Sequence, residues 1–105
     1  MAFIAHIAGD LKEGKAREFQ AWLEANEKDL ANSHPAGARY IGTYFGIYVQ
    51  KGVGSVHTLI EMDDYGTQDD LAAAGKDPDS VYGRLVNEFV SFFNQESENW
   101  TSALY

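Results

Sequence analysis

Arg39-Tyr40-Ile41-Gly42-Thr43-Tyr44-Phe45-Gly46-Ile47-Tyr48-Val49 is the stretch whose reading decides the fold. Taken with period two, one face carries Tyr40, Gly42, Tyr44, Gly46 and Tyr48, and the other Ile41, Thr43, Phe45, Ile47 and Val49. β-Branched and aromatic residues in strict alternation predict a long strand covered on both faces. The apolar face suits a helical layer. The Tyr/Gly face is too aromatic for bare water and too polar for a dry core, so it calls for a second surface, a partner subunit or a ligand.

Working outward, Ala2 to Ala8 reads as a first strand, with Phe3, Ala5 and Ile7 on one side and Ile4, His6 and Ala8 on the other. Lys12 to Ala31 reads as a helix with Phe19, Trp22, Leu23 and Leu30 at helical spacing. Ser55 to Met62, after a Gly-rich hairpin turn at 51–54, is a third strand with Val56, Thr58, Ile60 and Met62 sharing a face. Thr67 to Asp70 has the form of a capping box for a short helix over 68–74. Asp77-Pro78 reads as an N-cap followed by proline at the first helical position. The helix after it runs to about Glu96 on a wide apolar stripe, and Asn99 to Tyr105 forms a last strand. The order β-α-β-β-α-β predicts one ferredoxin-like α+β domain over residues 1–105, a four-stranded antiparallel sheet in the order 4-1-3-2 with helices on one face. Its other face would be bare, and the expected remedy is a homodimer packed sheet to sheet through Tyr40, Tyr44 and Tyr48.

The formal net charge of −8 disfavours nucleic-acid phosphates and anionic membranes as partners. Ten of the sixteen acidic residues lie from Glu61 onward, against only Lys76 and Arg84, which gives the second half an acidic skin. The absence of cysteine removes disulfides, thiolate metal sites and cysteine nucleophiles. No basic-then-apolar leader and no spanning run is legible, so a cytoplasmic location is expected. Phosphate-binding glycine loops, His-Glu-x-x-His and nucleophile elbows are all missing, and no metal or cofactor is expected.

His6 and His57 are the residues with chemistry to offer, because strands one and three are neighbours in the predicted order. If their faces coincide, two imidazoles share a sheet floor beneath the helices and can exchange protons near neutral pH. His34, in a turn before Pro35, reads as a surface residue. Trp22 either belongs to the core or roofs a pocket, and Tyr65 and Tyr82 either pack or orient a ligand oxygen.

Three places carry a resemblance. Phe3-Ile4-Ala5-His6-Ile7 with Gly14-Lys15, Val56-His57-Thr58-Leu59-Ile60-Glu61 with Asp63-Asp64-Tyr65, and Val81-Tyr82-Gly83 together resemble the dimeric α+β barrel proteins. Within them the chain is most similar to the stress-responsive (Dabb-like) and antibiotic-biosynthesis-monooxygenase-like small proteins. Relatives of this kind include cofactor-independent quinone-forming monooxygenases, polyketide cyclases and haem-degrading enzymes. The resemblance implies a pocket between sheet and helices lined by His6 and His57 as catalytic residues; in the enzyme reading an aromatic or polyketide-like carbonyl compound binds there, with Trp22, Tyr65 and Tyr82 as candidate ligand contacts. Cyclase-like members have a further histidine before the last helix, where this chain has Gly75-Lys76-Asp77-Pro78-Asp79. Two readings follow. The first is a non-catalytic homodimeric binding or interaction module; the second is a cofactor-independent enzyme.

Overall fold

The structure is a computed structural model. It describes residues 3–46, 55–94 and 98–103, the last stretch through its backbone. The elements are β1 (Phe3–Gly9), α1 (Ala16–Asn32), β2 (Ala38–Phe45), β3 (Val56–Met62), α2 (Thr67–Lys76), α3 (Val81–Val90) and β4 (Glu98–Ala103). They form a four-stranded antiparallel sheet in the order β2-β3-β1-β4, the expected order read from the other edge. The hairpin turn expected at 51–54, and Ile47, Tyr48 and Val49, lie outside the described residues.

Period two decides which sheet face meets the helices. On β3, Val56, Thr58, Ile60 and Met62 are buried while the residues between them are half exposed. Across the ladder, Phe3, Ala5 and Ile7 of β1 stand opposite Met62, Ile60 and Thr58 and pack into the same core. The core has two lobes. Phe19 is fully buried among the rings of Trp22, Phe45, Phe89, Phe92 and Phe93, with centroid separations from 5.1 to 6.4 Å. The second lobe joins Ile60, Met62, Leu71 and Tyr82. Fully burying such side chains contributes about 1.5–3 kcal/mol each.

Helix boundaries differ from expectation for local reasons. Helix α1 starts four residues late, because Gly14 adopts φ +77° and turns the chain first. That diverted segment pairs instead with the end of α3: Leu11 bridges Phe93, and Lys12 N donates to Phe92 O at 2.8 Å. The same pairing stops α3 at Val90, short of Glu96. Helix α2 is not capped by Thr67. Its N-cap position is Gly66, which has no side chain to cap with, and the Asp64 carboxylate accepts from Thr67 N at 3.0 Å instead. Helix α3 begins at Val81, after Pro78, with Ser80 as its N-cap accepting from Gly83 N at 2.9 Å.

The main correction falls on β2. A β-bulge lies between Tyr40 and Gly42: Tyr40 pairs with Ile60, Gly42 with Leu59, and Ile41 is the extra residue. One inserted residue reverses the alternation beyond it. Ala38 and Tyr40 before the bulge, and Thr43 and Phe45 after it, therefore face the helices. Arg39, Gly42 and Tyr44 face the open side. Tyr40, expected on the dimer face, lies under the helical layer, and Ile41, expected against the helices, is 44% exposed.

Candidate functional site

The open sheet face holds both predicted histidines. His6 pairs with Leu59, and His57 with Ala8 and Tyr44, so the imidazoles are diagonal neighbours on one face. The condition that their faces coincide holds, but the shared face is the open one and not the floor of a pocket under the helices. Val56 and Thr58 take the helix side of β3, and that turns His57 out. Burial, and then the charge of His57, hold the His6 pKa below the ordinary histidine value. Tyr44 is 52% exposed, and its ring lies over Gly42, 3.4 Å from where a Cβ would stand. The space above that glycine is thus filled by the chain itself. At the edge of this face Arg39 bridges Glu61 and Asp63, each at 2.7 Å, which lowers the Asp63 pKa.

The helix side holds a different set. A cavity of about 390 Å³ opens between the sheet and the C-terminal end of α3. Ile7, Val56, Phe89 and Phe93 give it an apolar wall, and Thr58 and Lys12 add a hydroxyl-bearing and a cationic residue to its lining. Among the described residues Lys12 has no ion pair.

From Thr58 a row of hydroxyls leads away from the cavity. Thr58 Oγ1 and Thr43 Oγ1 are 3.0 Å apart, Thr43 Oγ1 and Tyr40 Oη 2.6 Å, and Tyr40 Oη donates to Glu27 Oε2 on α1 at 2.7 Å. Thr43 reaches Thr58 because they are cross-strand partners. Tyr40 joins them only because the bulge brings residues 40 and 43 to the same face. Burial, and then the Glu27 carboxylate that accepts its proton, raise the Tyr40 pKa, and the bond from Thr43 partly offsets this.

His34 is a second position that sequence reading placed wrongly. It is half-buried behind the helices, its ring edge-to-face with Tyr82 at 4.7 Å and 5.8 Å from Tyr40. Its Nδ1 donates to Leu30 O at 2.8 Å, since a carbonyl can only accept. Burial lowers its pKa, with the Leu30 bond opposing. The signal in the sequence was its spacing of four from Leu30, which lets a C-terminal histidine fold back on its own helix.

The predicted ligand contacts do not converge. Trp22 packs on Phe19 and donates Nε1–H to Glu88 Oε1 at 3.1 Å. Tyr65 is 62% exposed, edge-on to Phe3. Tyr82 is buried at the junction of α1, α2 and α3, which pushes its hydroxyl up to about 12. None of the three lines the cavity beneath α3. The described residues contain no cluster of three or more potential metal ligands and no helix long and apolar enough to cross a membrane.

No protein-family model matches the sequence, and no curated protein does. Solved structures do match. A NIPSNAP family protein from Agrobacterium tumefaciens superposes with a TM-score of 0.71 at 11% identity, over 99% of this chain and 86% of that one. An uncharacterized NIPSNAP-like domain protein from Burkholderia xenovorans gives 0.68 at 18% identity, over 99% and 85%. A dimeric ferredoxin-like protein of unknown function from a Jannaschia species gives 0.64 at 13%, over 99% and 100%. At such identities the likeness concerns the backbone path, and by that path the chain is a ferredoxin-like α+β protein.

Proposed function

We propose that this protein is a homodimeric small-molecule-binding module of the dimeric α+β barrel kind. Each protomer holds one mainly apolar ligand in the cavity between sheet and α3. The observation that carries the reading is that cavity: about 390 Å³, walled by Ile7, Val56, Phe89 and Phe93, beside the core lobe that Phe19 centres. Its size is that of a small-molecule site. Lys12 in the lining suits a ligand with a polar or anionic edge.

The second copy covers the open sheet face. Tyr44 stands 52% exposed there beside His57, on a face that would otherwise be wet. Support comes from the structural neighbours, of which the Jannaschia protein is described as dimeric. In this reading His6, His57 and Tyr44 belong to the subunit contact, which leaves no acid/base pair assigned to the cavity. The stress-responsive barrel resemblance fits this assembly, and the cofactor-independent enzyme is the lesser alternative.

The test pairs a ligand screen with a mass measurement. Fused-ring aromatic compounds should raise the melting temperature of the wild type by mass action. Ile7→Phe, which fills the cavity from its sheet side, should abolish that rise while leaving a dimer by light scattering. Tyr44→Asp should give monomers. A wild type that is monomeric at micromolar concentration, or an Ile7→Phe variant that binds as the wild type does, refutes the corresponding half.

A further inference from the structure

We propose that the hydroxyl row from Thr58 to Glu27 selects the ligand. It turns Thr58 Oγ1 into a polarised hydrogen-bond acceptor in the cavity lining, so the ligand must present an O–H, as a phenol or an enol does. This rests on the cavity reading above and adds to it the chemical class of the occupant.

Direction along the row is set by its far end. An ionised carboxylate only accepts, so the single Tyr40 proton goes to Glu27, at 2.7 Å. Tyr40 Oη must then accept from Thr43, at 2.6 Å. With its own proton spent, Thr43 Oγ1 must accept from Thr58, at 3.0 Å. Every hydroxyl hydrogen therefore points away from the cavity. Thr58, whose residue is 5% exposed and lines the cavity, is left with oxygen lone pairs and no proton to give a ligand there.

Two consequences follow for a ligand. An ether or ketone oxygen set against Thr58 meets lone pairs and gains no bond. A ligand hydroxyl donates to Thr58 and extends the row by one link. Because the row ends on a charge and its bonds are part-buried, each bond polarises the next, and the acceptor strength at Thr58 depends on Glu27 although two hydroxyl groups separate them. Tyr40 and Glu27 are thus positioning residues: neither lines the cavity, yet both set what binds there.

Removing the middle of the row makes a sharper test than removing its end. In Tyr40→Phe the Thr43 proton has lost its acceptor and is free to turn toward Thr58. Thr58 then accepts from Thr43 and is free to donate into the cavity. The polarity of the site should reverse.

The probes are 1-naphthol and 1-methoxynaphthalene, matched in ring system and differing in the O–H. Affinities are measured by titration calorimetry near neutral pH, with thermal unfolding of each variant to confirm folding. The wild type should prefer the naphthol about tenfold, the range of one net hydrogen bond against an unpaired acceptor. Thr58→Val should bring the two probes to parity. Tyr40→Phe should lose the preference or favour the ether, and Glu27→Gln should reduce it severalfold. The ratio of affinities is read because a merely structural change at position 27 or 40 would weaken both probes alike. Equal binding of the two probes by the wild type, or an unchanged ratio in Tyr40→Phe, overturns the selection while leaving the cavity reading intact. Failure of the wild type to bind either probe overturns both.

Discussion

Replacing Gly83 by alanine tests how the helical layer is locked in place. Gly83 is the third residue of α3 and is buried against the end of α2. A Cβ there would collide with the Asp77 carbonyl oxygen and would stand 2.8 Å from the Asp77 carbonyl carbon and 2.9 Å from Ala74 O. All three are backbone atoms, so no rotamer change relieves the overlap, and the helix itself must move. Gly83 N also donates to Ser80 Oγ at 2.9 Å, and Ser80 Oγ donates to Asp77 O at 3.0 Å. Moving the helix opens that cap as well.

Overpacking of this kind costs about 1–3 kcal/mol, and loss of the cap about 1 kcal/mol. The better helix propensity of alanine returns about 1 kcal/mol. The net loss is then roughly 1–3 kcal/mol, which for a domain of this size lowers the melting temperature by about 5–20 °C. Gly75→Ala is the matched control. Its Cβ would meet only Val86 Cγ1, at an ordinary 3.9 Å, inside α2. It should raise stability by up to about 1 kcal/mol. Differential scanning calorimetry of both variants decides. If Gly83→Ala melts at or above the wild-type temperature, the close approach of α3 to Asp77 is not a feature of the folded protein.

Phe19→Ala removes the ring on which five others converge, and should cost about 3–5 kcal/mol by urea unfolding; a loss under 1 kcal/mol would mean that the lobe is not packed around it. Stability should also fall on acidification. Native His6 and His34 have pKa values below the ordinary one, so between about 6.5 and the native values the unfolded chain binds more protons. The contribution is therefore complete above pH 6.5 and is lost as pH falls through that window. His34→Ala should flatten the pH dependence whatever it does to stability at pH 7.5, and an unchanged slope between pH 7.5 and 5 would remove His34 from the account.

Much of the fold was legible because its determinants are local. Alternation in Phe3–Ala8 and Val56–Met62 and helical spacing in Phe19, Trp22, Leu23 and Leu30 are properties of neighbours along the chain, and with the handedness of crossovers they imply the sheet order. The same alternation correctly divided the faces of β1 and β3. It could not say which face the helices would cover, because His6 and Ile7 are equally good strand residues. Only the packing of Phe3, Ala5 and Ile7 against Ile60, Met62 and Leu71 placed His6 on the open side.

The stretch Arg39–Val49 shows where local reading ends. Strand character over Ala38–Phe45 follows from its β-branched and aromatic residues. The bulge at Ile41 does not, since an extra residue is defined only against the partner strand, by Tyr40 meeting Ile60 and Gly42 meeting Leu59. That one residue moved Tyr40 from the open face to the helical layer. There it joins Glu27, Thr43 and Thr58, which come from three elements and share no motif. Which residues form strands was a matter of side-chain chemistry along the chain. Which oxygens meet beside the cavity was decided by the register between strands, a long-range pairing that no local pattern encodes.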